Sequence, residues 1–328
     1  MKLTEEQWDI EHLWSHLQKA AELEAWTIPY YMATMFSIED RFSEPYQLIQ
    51  SVVHQEMLHL QLVANVANAY GYSPTIDASA FVYDGQTIPH LDFALDPDNP
   101  TALFAPYSSA IGPLDTERIN GMCLVEYPEW ETGGTPDLRE DVSEYGSIGE
   151  FYDAVEYGAR LLSSQIVGGR RQVDLFSAFY RDLPKLVVDA TGPGAFAEVA
   201  LLIDIIRDQG EGAKAADAIA PPFRNTADDS QPDLNHYDKF RQIRDEAQAG
   251  TVPATYALKP VAEYTADDQK RLRILVENFT AFSGMLTALF AGGNPDGFAP
   301  LMATIGGNIL SCWKSGVTPE FTVLERVA

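Results

Sequence analysis

The stretch VVHQEMLHLQLVANV, residues 52 to 66, sets a carboxylate and an imidazole, Glu56 and His59, among Val52, Val53, Leu60, Val63 and Val66. Helical residues three apart share one side. A Glu and a His so placed can hold one metal ion, and such pairs build carboxylate-bridged dimetal centres in four-helix bundles. A lone Glu-x-x-His is more often a solvated pair. Here both residues fall on the stripe a bundle buries, while Gln55 and His54, the latter about 200° around the helix from Glu56, point elsewhere. A buried carboxylate demands a cation or a proton.

Other residues join this pair on different grounds. Glu24 falls on the apolar stripe Leu13, Leu17, Ala20, Ile28, Tyr31, Met35 of an earlier helix, whereas Glu22 lies on the opposite face. Glu211, in DQGEG, is an acid where a helix ends, which opposes the macrodipole unless a positive group sits nearby. His236 opens a later helix in HYDKF and could reach the same spot, or simply cap that helix. Glu150 is ambiguous: with Ser147 it forms a capping-box pattern that explains it without metal. Antiparallel packing of its helix with the next would set it level with Glu211. Glu156, two turns deeper, is the alternative, and Glu126 in LVEYPEW reads as a loop acid tying an insertion down. Tyr30, Tyr31, Tyr152 and Tyr237 lie near these acids in sequence and read as core. Met32, Met35 and Met57 read as packing.

The elements that must position these groups are helices. Thr4 and Gln7 resemble a capping box opening the first helix, in which Pro29 predicts a kink just past Glu24. A second helix spans about Pro45 to Tyr70 and stops at Gly71. Residues 72 to 146 carry eight prolines and no helical periodicity, so an irregular ordered insertion with a few short strands at most is expected. Further helices follow at Ser147, in GAFAEVALLIDIIRDQGEG, at His236, and once or twice between 265 and 312, forming a C-terminal helical extension (265 to 328). The fold class is all-α, a four-helix bundle with an insertion between its second and third helices, and 1 to 328 reads as a single domain.

Composition excludes several functions. With 22 Lys+Arg against 48 Asp+Glu the formal charge is -26, which repels nucleic acid and anionic membrane surfaces. Hydrophobic residues at 46% rule out a disordered chain. No apolar run approaches the roughly 20 residues that span a bilayer, and the acidic start MKLTEEQWDIEHLW is no signal peptide. A cytoplasmic protein is expected. Cys123 and Cys312 lack CxxC spacing and read as buried free thiols. Nucleotide, nucleophile-elbow and zinc-finger motifs are absent.

The segments AELEAWTIPYY, HQEMLHLQLVANVANAYG, SIGEFYDAV, DQGEG and HYDKF, in this order over about residues 15 to 245, resemble the ferritin-like domain of the iminophenylpyruvate dimer synthase family. That resemblance implies a ferritin-like bundle whose metal ligands map onto Glu24, Glu56, His59, Glu150, Glu211 and His236. Four carboxylates and two imidazoles suit two Fe ions, with Mn the alternative. The implied function is metal-dependent oxidation of a small, amino-acid-derived substrate by dioxygen or peroxide. Iron storage without turnover, and a metal-free scaffold whose buried acids pair with Arg160 or Arg207, are the alternatives. The expected partners are a small-molecule substrate and, at most, copies of the chain in a small homo-oligomer.

Overall fold

The computed structural model describes residues 1–77, 80–88, 100–127, 135–176, 184–210 and 230–322. Among them are eight α-helices and no strand: α1 (Ile10–Phe36), α2 (Glu44–Ala69), α3 (Thr116–Val125), α4 (Ile148–Leu161), α5 (Phe196–Gln209), α6 (His236–Gln248), α7 (Ala266–Phe290) and α8 (Phe298–Lys314). None is long and apolar enough to cross a membrane. Asp9, not Thr4, caps α1: its carboxylate accepts from the backbone N–H groups of Glu11 and His12 at 3.0 and 3.1 Å. Thr4 and Gln7 form a turn ahead of it. The α1 helix continues through Pro29.

The helices α1, α2, α5 and α4 close a ring in which each packs on the next and α4 returns to α1. The pair α3 and α6 docks against α2, and the α7–α8 hairpin covers α1 and α2. There Trp313, fully buried, donates from its indole to the Ala33 carbonyl at 2.8 Å. Enclosed by α1, α5, α6 and α7, α2 is buried along almost its whole length, and a helix covered on all sides cannot leave a polar side chain without a partner at low cost. Its polar residues therefore sort by what they bind. Asn65 donates to the carbonyls of Val173 and Leu186, both at 2.8 Å. Gln61 accepts from the backbone of Leu175 and Phe176, and Asn68 donates to the Phe290 carbonyl at 2.9 Å. Those three fasten the α4–α5 connection and α7. Ser51 donates to the Leu48 carbonyl at 2.8 Å, and of the buried polar residues Gln55, Glu56 and His59 remain, facing one cluster.

The insertion differs from expectation. It contains α3, capped by Asp115, whose carboxylate accepts from the Arg118 N–H at 2.9 Å. Asn120 and Gly121 inside it have poor helix propensity and hide it in the sequence. The glycine is required by packing: a Cβ there would lie 2.5 Å from the Tyr30 hydroxyl and 2.8 Å from the Ser108 carbonyl oxygen.

Candidate metal centre

Glu24 on α1 and Glu56 and His59 on α2 converge in the interior, each 2% exposed or less. His59 Nδ1 lies 3.5 Å from Glu24 Oε2 and 3.9 Å from Glu56 Oε1. From the other side His236, the first residue of α6 and fully buried, brings Nδ1 to 2.8 Å from Glu56 Oε1. The two imidazoles stack with centroids 5.2 Å apart. One ligand atom from each of Glu56, His59 and His236 lies within 4.8 Å of the others.

Glu126 completes the described cluster. It is the C-cap residue of α3, fully buried, with Oε2 3.2 Å from His236 Nδ1. Tyr31 donates its hydroxyl to Glu126 Oε1 at 2.5 Å, and Tyr152 donates to Glu24 Oε1. The Thr27 hydroxyl lies 2.7 Å from Glu56 Oε2 and 2.8 Å from the Glu24 carbonyl oxygen, so its one proton serves one of them at a time. Both imidazoles are oriented by amides: His59 Nε2 lies 2.9 Å from Gln209 Oε1, and His236 Nε2 lies 3.1 Å from Gln55 Oε1. Each ring thus turns Nδ1 toward the carboxylates and Nε2 toward an amide oxygen, the arrangement in which an outer hydrogen bond fixes a metal-binding histidine.

Electrostatics make the cluster costly without a cation. Burial raises the Glu56 carboxyl well above its ordinary range; Glu126 and Glu24 raise it further, and His59 and Thr27 only partly oppose this. Glu56 Oε1 accepts no hydrogen bond. Although His236 Nδ1 is 2.8 Å away, the pair lacks hydrogen-bond geometry. A buried carboxylate oxygen that faces two ring nitrogens without a bonded proton has the donor set a transition-metal ion takes. Among the described residues no arginine or lysine pairs with Glu24, Glu56 or Glu126. Arg207 instead binds Asp153, Glu156 and Asp204, and Arg160 lies over the Tyr157 ring.

Of the sequence-derived ligands, the structure brings together Glu24, Glu56, His59 and His236. Glu150 does not join them: Arg139 binds its Oε1 at 2.9 Å, the Gly146 N–H binds its Oε2 at 2.8 Å, and its own N–H donates to Ser147. Asp153 and Glu156 on α4 meet Arg207 near the end of α5. Rotation excludes Glu150, because Tyr152, two residues or about 200° on, is the α4 side chain that reaches Glu24. Glu156 is held by Arg207 at 3.0 Å, outside the cluster. Glu211 lies outside the described residues. The residue before it, Gly210, sits against both rings: a Cβ there would be 3.7 Å from His59 Cε1 and 3.8 Å from His236 Nδ1. Sequence reasoning ranked Glu126 only as a weaker loop candidate and turned Gln55 away from the buried stripe, whereas Gln55 is buried with its amide oxygen 3.1 Å from His236 Nε2; it missed Gln209 altogether.

A ring of four helices enclosing carboxylates and imidazoles defines a helical bundle of the kind that binds transition metals. A ferritin-like family model matches residues 17–245, and the chain belongs to the ferritin-like family. It is similar to a crystal structure of a ferritin-like protein from Caulobacter vibrioides, with TM-score 0.81 and 43% sequence identity, over 96% of this chain and 99% of that one. No curated protein matches the chain.

Proposed function

We propose that this protein is a metal-dependent oxidoreductase of the di-iron carboxylate type that uses dioxygen or peroxide to oxidise a small, amino-acid-derived substrate. The observation that carries the reading is Glu56 Oε1, buried, free of hydrogen bonds and facing the Nδ1 atoms of His59 and His236. The residues that would hold the ions are Glu24, Glu56, His59, Glu126 and His236, with Glu211 as the sixth. Glu126 takes the place first given to Glu150 and restores the set of four carboxylates and two imidazoles. Two iron ions, with manganese the alternative, would supply the redox equivalents and the open positions for the oxidant. Tyr31 and Tyr152 hold the outer oxygens of Glu126 and Glu24 by hydrogen bonds and so leave the inner ones to face His236 and His59. The burial of Glu24, Glu56, His59, Glu126 and His236 keeps bulk water from these carboxylates. The substrate class rests on the resemblance of the ligand-bearing segments to the imine-dimer synthases.

Elemental analysis of protein grown with iron and manganese tests the reading. About two ions per chain are expected, and less than about a tenth of an ion would overturn it. Oxygen uptake should follow on adding amino-acid-derived imines to the reduced, iron-loaded protein and vanish in Glu56→Ala. Uptake without any dependence on organic substrate would favour iron handling instead.

A further inference from the structure

Lys239 is fully buried one turn beyond His236 on α6. Its ammonium donates to Ser51 Oγ at 3.0 Å and to Gln55 Oε1 at 3.2 Å. The Ser51 hydroxyl passes its own proton to the Leu48 carbonyl at 2.8 Å. Gln55 Oε1 is also the atom 3.1 Å from His236 Nε2.

These contacts have only one consistent direction. An ammonium offers donors and no acceptor. Gln55 must therefore turn its carbonyl oxygen, and not its NH2 group, toward Lys239. That same oxygen faces His236 Nε2, so the ring nitrogen has to carry a proton to meet it. A neutral imidazole protonated on Nε2 keeps its lone pair on Nδ1, the nitrogen that lies 2.8 Å from Glu56 Oε1 and shares a 3.2 Å hydrogen bond with Glu126 Oε2. We propose that Lys239 is a positioning residue that, through the Gln55 amide, holds His236 in its Nε2–H tautomer and so preserves Nδ1 as a metal ligand.

The lock opposes a strong default. Nδ1 lies 2.8 Å from Glu56 Oε1 and 3.2 Å from Glu126 Oε2. A ring free to choose would place its proton on Nδ1, because its hydrogen bond to the Glu126 carboxylate at 3.2 Å would be roughly twice as strong as one to a neutral amide. A ring in that state cannot bind a metal at Nδ1. Glutamine suits the relay because it transmits orientation without adding another negative charge to a cluster that already holds three carboxylates.

The purpose of the lock rests on the metal reading, but its test does not. Full-length protein carrying 15N-labelled histidine, in mildly alkaline buffer with chelator, is read by long-range proton–nitrogen correlation. Wild type should show His236 protonated on Nε2 alone; a proton on Nδ1 overturns the proposal whatever the variants do. In Lys239→Met the amide is free to turn over, and His236 should shift to the Nδ1–H form while manganese(II) affinity falls about 10- to 100-fold. Should that variant not fold, the double variant Lys239→Met with Gln55→Met removes both polar partners at similar volume and should show the same shift. A folded variant that keeps the wild-type tautomer overturns the proposal, since a merely structural lysine would lower the melting temperature without moving that proton. Wild type with the expected tautomer but no metal affinity would refute the metal reading and leave the lock standing.

Discussion

Neutralising Glu56 should stabilise the metal-free protein, and the gain should grow with pH. Glu24 Oε2 and Glu56 Oε1 lie 3.5 and 3.9 Å from one nitrogen of His59, so they are no more than about 7 Å apart. Glu56 and Glu126 share His236 Nδ1 at 2.8 and 3.2 Å, which puts them within about 6 Å. At an effective dielectric constant of about 20, two such repulsions sum to about 5 kcal/mol if all three groups ionise. Burial first, and then these repulsions, hold the Glu56 carboxyl well above its ordinary 4.5, so the protein avoids most of this cost by keeping a proton. A folded-state value above the unfolded one means that the native state binds the extra proton. The Glu56 contribution to apo stability is therefore intact below about pH 4.5 and falls as pH rises toward the raised value, by at most about 1.4 kcal/mol per unit. Glu56→Gln removes that slope at nearly constant shape. Between pH 5 and pH 7 the melting temperature of Glu56→Gln minus that of wild type should increase, by up to about 5 °C at about 2 °C per kcal/mol. Paired thermal melts in chelator read it directly. A difference that shrinks with pH would mean that Glu56 is ionised and ion-paired in the apo protein, and the reasoning would fail. Saturating manganese(II) should reverse the order, because only wild type gains stability by mass action.

Four further outcomes are expected. Glu56→Ala, His59→Ala and Glu126→Ala should lose metal, while His54→Ala and Glu150→Ala keep it; elemental analysis checks this, and equal loss in all five would mean that the buried faces are misassigned. Glu150→Ala should instead lower stability by about 1 kcal/mol through the lost α4 terminus contacts, measurable by denaturant melts. Gly121→Ala should cost about 1–3 kcal/mol, because its methyl group meets the Tyr30 hydroxyl and the Ser108 carbonyl; an unchanged denaturation midpoint would contradict that packing. Burial pushes the thiols of Cys123 and Cys312 up to about 12, so both should resist alkylation at pH 8 until the protein is unfolded, as mass spectrometry would show.

What the sequence made legible was the conflict between charge and burial. Glu24, Glu56 and His59 announced themselves because an acid or imidazole stood on an apolar stripe, and period alone places such residues in a core. The helices around them were equally readable, with α2 ending at Gly71, whose φ of +83° an L side chain adopts poorly. Glu150 misled because its sequence context serves a helix cap, and its axial level said nothing of its rotation. Glu126 was obscured because its helix lies among prolines and contains Asn120 and Gly121. The amides misled or stayed silent: helical phase turns Gln55 off the apolar stripe, yet α6 buries it against His236, and a glutamine on a helix carries no sign of whether it meets water or the back of an imidazole.

The ligands come from two structural bodies. Glu24, Glu56 and His59 belong to the ring of long helices, whereas Glu126 and His236 sit at the ends of α3 and α6, a pair docked on that ring from outside. A bound ion would therefore act as a cross-link between two cooperative units as well as a redox centre. Amides in Thr116–Val125 and His236–Gln248 should exchange through a sub-global opening whose free energy rises with metal occupancy, while those of α1 and α2 exchange only with global unfolding. Hydrogen exchange along the chain would then read out the ion as mechanical coupling, and metal supply would set how long the docked pair stays closed.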